Sequence, residues 1–254
     1  MIIILAPAKT MARIATKTDY TPTQPLFLNY SAPLVEAIRK LSQREMEKLM
    51  AVSPQLARLN IERFLQWQLP FNSGNSYPSL LSFRGIVFDA LNPKDFNTED
   101  FAFAQQHLRI LSGLYGALRP LDLMQPYRLE MGTKFGIGRS KNLYQYWRPL
   151  LTDYLNGEVN SEGGEVLVNL ASVEYSNAVD FDAINGEVIT PVFKEWKGNA
   201  LKIITVHAKR ARGLMTRFII KNRLSDVEHI KLFDYEGYYY SPDESLRNQW
   251  VFVR

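Results

Sequence analysis

Six cations are concentrated in one short segment, Lys209 to Arg223, which reads KRARGLMTRFIIKNR and contains no acidic residue. The segment from Pro149 to Phe193 is its opposite, with eight acidic residues and no basic one. Because the net charge of the whole chain is only +4, the basic surplus is local. The planar guanidinium of arginine can donate two hydrogen bonds to phosphate oxygens, and the ammonium of lysine supplies a point charge. The segment therefore predicts a site for a polyanion, with nucleic acid as the first partner to consider.

On a helical wheel the basic segment has one apolar stripe, formed by Ala211, Leu214, Met215, Phe218 and Ile219. Cations flank the stripe, with Arg210, Arg217 and Lys221 on one edge and Arg212 and Arg223 on the other. The pattern predicts a helix over about 210–224 that buries its stripe and presents cations along both edges. Gly213 lowers helix propensity, so a helix start at that residue is an alternative. A second alternative is a solvated face whose cations pair with the acidic segment 149–193.

A glycine-containing turn is the second candidate, within QQHLRILSGLYGALRPLDLM at residues 105–124. A helix from about Thr98 is predicted to end at Leu111, followed by Ser112, Gly113, Leu114, Tyr115 and Gly116. Two glycines framed by leucines are similar to a helix-hairpin-helix, in which backbone N–H groups approach a phosphate without reading sequence. Arg109 and Arg119 bracket the turn. The extra Tyr115 departs from the usual spacing, and a helix C-cap followed by an ordinary turn is the alternative.

Other residues allow an enzyme as the alternative function. In this hypothesis Lys9, Arg128 and Lys209 bind the phosphate of a nucleic acid or nucleotide. Glu130 or Asp122 then acts as the general acid or base. No spacing marks a pair of carboxylates as an acid/base couple, so we assign no catalytic residue. The three histidines are isolated, and we predict no metal site and no cofactor. Direct iron binding is therefore the weakest hypothesis.

Hydropathy and turn signals predict an α+β fold. Helices dominate the first 155 residues, and strands are expected at Ile2–Leu5, Val166–Leu170, Glu187–Phe193, Leu201–His207, Ile230–Phe233, Gly237–Tyr240 and Trp250–Val253. The first strand is expected to join the C-terminal strands in one mixed sheet. No linker or repeat divides the chain, so residues 1–254 are predicted to form a single domain with a helix-rich N-terminal half and a helix-hairpin-helix-like element.

Composition indicates a cytoplasmic protein. The chain has no cysteine, which excludes disulfides and thiolate metal sites and fits a reducing compartment. The N-terminal apolar run is too short for a signal peptide, and no window is long enough to span a membrane. We expect no obligate protein partner.

Several segments together resemble the YaaA family of bacterial peroxide-stress-resistance proteins. The matching segments are Ala6–Thr10, Phe103–Gly132, Asn169–Ser172 with Glu174 and Tyr175, and Ala208–Ile220. Within the second segment, residues 111–132 read LSGLYGALRPLDLMQPYRLEMG. Their order and spacing cover essentially the whole chain, and the run from 103 to 132 is the most specific.

The resemblance implies a cytosolic protein associated with survival of hydrogen peroxide and with limiting damage driven by free iron. It also implies DNA binding through a helix-hairpin-helix in a positively charged cleft of a single-domain α/β fold, with no established enzymatic activity. Carried over by residue, the hairpin is Ser112 to Gly116. The cations of the cleft would be Lys9, Arg109, Arg119, Arg128, Lys209, Arg210, Arg212 and Arg217.

Overall fold

A computed structural model of the protein describes residues 1–13, 20–161 and 166–254. The strands are Ile2–Leu5 (β1), Thr10–Met11 (β2), Tyr77–Pro78 (β3), Phe83–Arg84 (β4), Leu108–Ser112 (β5), Gly116–Leu118 (β6), Leu123–Met124 (β7), Val166–Leu170 (β8), Glu187–Lys197 (β9), Ala200–Lys202 (β10), Tyr239–Tyr240 (β11) and Gln249–Val253 (β12).

The helices are Leu28–Ile38 (α1), Gln43–Met50 (α2), Pro54–Gln66 (α3), Ser79–Ser82 (α4), Ile86–Leu91 (α5), Thr98–His107 (α6), Leu143–Ser161 (α7), Val173–Ser176 (α8) and Thr205–Lys221 (α9). Short 3-10 turns cover Pro93–Asp95, Phe181–Ala183, Val227–Leu232 and Tyr235–Gly237. The predicted α+β class is confirmed.

One mixed sheet organises the molecule, in the order β11-β12-β9-β8-β1-β5-β6, with β10 paired to β9. Its five central strands, from β12 to β5, are parallel to one another, and the strands at both edges are antiparallel. All four residues of β1 are buried, as expected of a strand covered on both faces. The prediction that Ile2–Leu5 joins the C-terminal strands is confirmed, and β5 and β6 from the middle of the chain join them too.

Local capping residues mark the starts of α2 and α3. Ser42 and Glu45 form a capping box before α2, and Ser53 caps α3 with Pro54 at its first position. Helix α1 begins at Leu28 and contains Pro33. Burial of the apolar residues of α1 outweighs the hydrogen bond that proline cannot make.

Two predicted strands near the C-terminus are wrong. The prediction over 201–207 fails because the strand ends at Lys202 and α9 begins at Thr205. Residues 230–233 lie in a 3-10 turn and beside it, with Ile230 and Phe233 buried in the core rather than paired in the sheet. Around the start of α9 the apolar residues Ile203 and Val206 are exposed, whereas Ile230 and Phe233 are buried without the backbone partner that a strand requires.

The basic helix α9 buries the predicted stripe. Ala211, Leu214, Met215 and Ile219 are buried, and Phe218 is partly buried. Gly213 lies inside the helix and is not its start, because α9 packs closely on α5 at this point. A Cβ added at Gly213 would collide with the carbonyl oxygen of Val87. The glycine therefore allows two helices to approach at a distance that other residues forbid.

Candidate functional site

The topology of the sheet brings two loops to one edge. Since β1 and β8 are parallel neighbours, with Leu5 opposite Leu170, their carboxyl ends lie side by side. The loops that follow, Ala6–Thr10 and Ala171–Tyr175, begin at the same edge. Between these loops, α5 and α9 lies a cavity of about 290 Å³, which we call the crevice. Open α/β sheets bind ligands in such a position, outside the carboxyl ends of parallel strands.

The crevice combines cations with an apolar wall. Its cations are Lys9, Arg84, Lys209 and Arg212. Its apolar residues include Leu5, Ile86, Val87, Phe88 and Leu170. Glu174 is the one carboxylate in the lining. The site therefore suits an anion that also carries an apolar part.

Arg212 and Lys209, one turn apart, are the two cations of α9 that have no counterion among the described residues. Neither side chain makes an ion pair or hydrogen bond within residues 1–13, 20–161 and 166–254. Burial lowers the pKa of Arg212, which shows that its charge is partly removed from water without compensation by a carboxylate. Arginine stays protonated at neutral pH, so a bound anion would relieve this penalty.

The other cations of the basic segment 209–223 are neutralised. Arg210 pairs with Glu236 at 2.5 Å, and Lys221 pairs with Asp100 at 2.6 Å. Arg217 pairs with Asp95 at 2.7 Å, and Arg223 pairs with Glu99 at 2.6 Å. The alternative of a paired, solvated face thus holds for one part of the helix. Its acidic partners come from residues 95–100 and 236, however, and not from the acidic segment 149–193.

A smaller cavity adjoins the crevice and shares Pro7, Ala8, Lys9 and Tyr175 with it. Here Glu130 lies between two cations, 2.6 Å from Nζ of Lys9 and 2.7 Å from Nη2 of Arg128. One carboxylate cannot neutralise both. The Nε of Arg128 is buried without a hydrogen-bond partner among the described residues. The Arg128–Glu130 ion pair therefore lies beside an excess of positive charge.

A third cavity, of about 210 Å³, is lined in part by Gln125 and Pro126, and we call it the amide pocket. It is lined by Arg13 and Arg63 and by the side chains of Gln66, Gln68, Asn75 and Gln125. Burial and the charges of Arg13 and Arg128 lower the pKa of Arg63. The segment from Gln125 to Glu130 runs from this pocket to the smaller cavity. The three cavities together form what we call the basic cleft.

The predicted helix-hairpin-helix element is a β-hairpin. Ser112 ends β5, Gly116 begins β6, and the two residues pair across the turn. Leu114 and Tyr115 are completely buried. Their N–H groups donate to Oγ of Ser112 at 3.2 and 2.9 Å, so these amides are already satisfied. The N–H groups of Leu114 and Tyr115 are therefore not available to a phosphate.

Glycine has a structural role in this turn. Gly116 has φ of +68°, and a Cβ added to it would lie 2.6 Å from the ring of Trp147. The carbonyl of Gly113 accepts a hydrogen bond from Nε1 of the same tryptophan at 2.9 Å. The predicted helix from Thr98 ends at His107, because residues 108–112 pair with β1 instead.

Two arginines expected beside the hairpin lie outside the lining of the basic cleft. Arg109 is buried and forms an ion pair with Glu158. Arg119 pairs with Asp122 at 3.0 Å, and Asp122 also accepts from Oγ1 of Thr23 at 2.6 Å. Asp122 is thus part of a buried structural network and not of the cleft. Of the predicted cations, the structure brings together Lys9, Arg128, Lys209 and Arg212.

Three cations that line the cleft were not predicted from the sequence. Arg84 lines the crevice, while its Nη1 also donates to the carbonyls of Leu81 and Phe83. Arg13 and Arg63 line the amide pocket. Each is an isolated basic residue with no neighbouring cation in sequence. Only the fold places them beside the others, and we find no local signal that identifies them.

Two kinds of feature are absent from the described parts of the chain. No group of three or more His, Asp or Glu side chains there is arranged to hold a metal ion. No helix in those parts is long and apolar enough to cross a bilayer.

Comparison with known proteins identifies the family. A family model described as "Peroxide stress protein YaaA" matches residues 1–244. The chain is 50% identical to a UPF0246 protein of Saccharophagus degradans over 254 residues, which cover all of this chain and 99% of the relative. Over the same length it is 48% identical to a UPF0246 protein of Dechloromonas aromatica, again covering 99% of the relative. The chain therefore belongs to the YaaA family of peroxide stress proteins.

Proposed function

We propose that this peroxide stress protein acts in the cytoplasm and binds the phosphate backbone of DNA along the basic cleft without sequence specificity. The observation that supports this most strongly is the imbalance of charge. The lining holds seven cations, Lys9, Arg13, Arg63, Arg84, Arg128, Lys209 and Arg212. It holds two carboxylates, Glu130 and Glu174, so the local excess is five positive charges. A row of phosphates is the biological ligand that matches such a track.

The distribution of partners on α9 gives a sharp test. The double variant Lys209→Ala/Arg212→Ala removes two cations that have no counterion in the described part of the chain. The double variant Arg210→Ala/Arg217→Ala removes the same charge from the same helix, but from cations that pair with Glu236 and Asp95. Fluorescence anisotropy with a labelled duplex over a salt series measures both.

The wild type should bind with log K falling linearly as log salt rises. The Lys209/Arg212 variant should reduce that slope by about 1.8, since each phosphate contact contributes about 0.9. The Arg210/Arg217 variant should keep the wild-type slope. Equal losses in the two variants, or no binding by the wild type, would refute the proposed role of the cleft.

We further propose that bound DNA is protected from oxidation driven by ferrous iron. Nicking of a supercoiled plasmid by iron and peroxide should decrease with the wild-type protein. It should not decrease with the Lys209/Arg212 variant. Equal protection by both proteins would show that protection does not depend on binding in the cleft.

An enzyme acting on a nucleotide phosphate is the second candidate. It is supported by the position of Glu130 between Lys9 and Arg128, next to the crevice. A reaction on a nucleic acid or nucleotide that is lost in Glu130→Gln while DNA affinity is retained would favour it. No reaction by the wild type on either substrate would reject it.

A further inference from the structure

The interior of the crevice is a poor match for the backbone of a DNA duplex. Phosphates can contact the cations at its rim, yet Leu5, Val87 and Leu170 line a space that a sugar-phosphate backbone leaves unfilled. A stacked duplex is too large for a cavity of about 290 Å³. That volume lies near the lower limit of small-molecule sites, which begin at about 300 Å³.

The crevice also holds hydrogen-bonding groups that a ligand can reach. The hydroxyls of Thr10 and Ser172 make no side-chain hydrogen bond within the described ranges of the chain. Glu174 accepts from the N–H of Gly132 through Oε1, at 3.1 Å. Polar groups of this kind, set in an apolar wall, are how proteins hold the edge of an unstacked base. Unpaired cations lie at the same site, on Lys209 and Arg212.

We propose that the crevice binds one nucleotide unit, with its phosphate at Lys209 and Arg212 and its unstacked base against the apolar wall. The unit could be an unpaired nucleotide of DNA or a free mononucleotide, since both present the same phosphate and base. In its DNA form the proposal rests on the proposed function. It then implies that the protein prefers DNA in which one base is already unpaired, because the energy of unpairing is spared.

The test uses two duplexes of equal length and phosphate number. One is fully paired, and the other carries 2-aminopurine opposite an abasic site. The wild type should bind the second duplex at least about 10-fold more tightly, and 2-aminopurine fluorescence should change on binding. Equal affinity for both duplexes and no binding of adenosine 5′-monophosphate by calorimetry would overturn this proposal, yet leave the proposed DNA binding intact.

A variant that fills the cavity tests the location. Ala8→Phe introduces bulk into the crevice without changing charge and should abolish the preference for the unpaired base. Ala102→Phe makes the same change at an exposed position of α6 and should keep it. Ser172→Leu is a second crevice variant in case Ala8→Phe does not fold, which thermal unfolding will show. A preference that persists in a folded crevice variant overturns the proposal.

The free mononucleotide is distinguished by calorimetry. If adenosine 5′-monophosphate binds the wild type and not Lys209→Ala/Arg212→Ala, while no duplex binds, the nucleotide site stands and DNA binding falls. If the duplex with the unpaired base binds tightly and the mononucleotide does not, the ligand is a nucleotide of DNA.

Discussion

Arg217 and Asp95 form a bidentate ion pair, in which Nη1 and Nη2 of the arginine donate to Oδ1 and Oδ2 of the aspartate, each at 2.7 Å. The pair joins α9 to a segment 122 residues earlier in the chain. The same helix carries Arg212, which has no counterion among the described residues. One helix therefore serves both the stability of the fold and the candidate site, with different cations.

Removal of the pair should reduce stability modestly. The Asp95 side chain is 46% exposed, so Arg217→Ala should lower the free energy of unfolding by about 1 kcal/mol, the upper range for partly solvated pairs. Urea denaturation of both single variants and of Arg217→Ala/Asp95→Ala measures the coupling between them. Losses that simply add would show that the two residues do not interact.

The same aspartate should make stability depend on pH in acid. A hydrogen bond from Arg217 lowers the pKa of Asp95 below 3.8, assisted by the charges of Arg217 and Lys221 and opposed by burial. A lowered pKa gives stability that is present above the unfolded-state value and is lost as pH falls through the folded-state value. Urea midpoints of the wild type and Asp95→Asn should therefore converge between about pH 5 and about pH 2. A difference that stays constant would contradict the assignment.

Gly213 and Gly157 should respond in opposite ways to replacement by alanine. Both lie inside helices, where alanine is favoured by about 1 kcal/mol. Around Gly157 an added Cβ would meet no atom within 4 Å, so Gly157→Ala should raise the unfolding temperature. At Gly213 the Cβ would collide with the carbonyl of Val87, so Gly213→Ala should lower it. Differential scanning calorimetry measures the unfolding temperature of each variant. A higher unfolding temperature in both would refute the close packing of α5 on α9.

Tyr115 should matter for stability and not for DNA. Its hydroxyl accepts from Nε1 of Trp67 at 3.0 Å and donates to the carbonyl of Gln125 at 3.1 Å, inside the core. Tyr115→Phe should cost about 1–3 kcal/mol in the free energy of unfolding, because it leaves buried groups unsatisfied. Tyr239→Phe, at an exposed position, is the control and should be neutral. Weaker DNA binding by folded Tyr115→Phe would restore the hairpin as a binding element.

The basic helix shows how far the sequence could predict the site. The apolar stripe of α9 follows from local periodicity and was predicted correctly. The difference between Arg212 and Arg217 could not be predicted, because it depends on Asp95, which is distant in sequence. The six cations look equivalent in the sequence, and only tertiary contacts separate the neutralised ones from the others.

The prediction of a helix-hairpin-helix element was wrong for a related reason. Residues 108–112, LRILS, can continue the preceding helix or form a strand, and local propensity does not decide between them. Pairing of Leu108 with Ile3 and of Ile110 with Leu5 decides it, through contacts more than a hundred residues apart. A short apolar run is ambiguous until its neighbours in the sheet are known.

The crevice is assembled from four stretches of chain that are far apart in sequence, at 5–10, 84–88, 170–175 and 209–212. A fragment must span residues 5–212 to contain all four, and no single stretch can be transferred to another scaffold with the site intact. The parallel strands that align these stretches form only after long loops have closed, a feature associated with slow folding. Binding competence should therefore emerge late and in one step during folding, so that partly folded chains are not partly active.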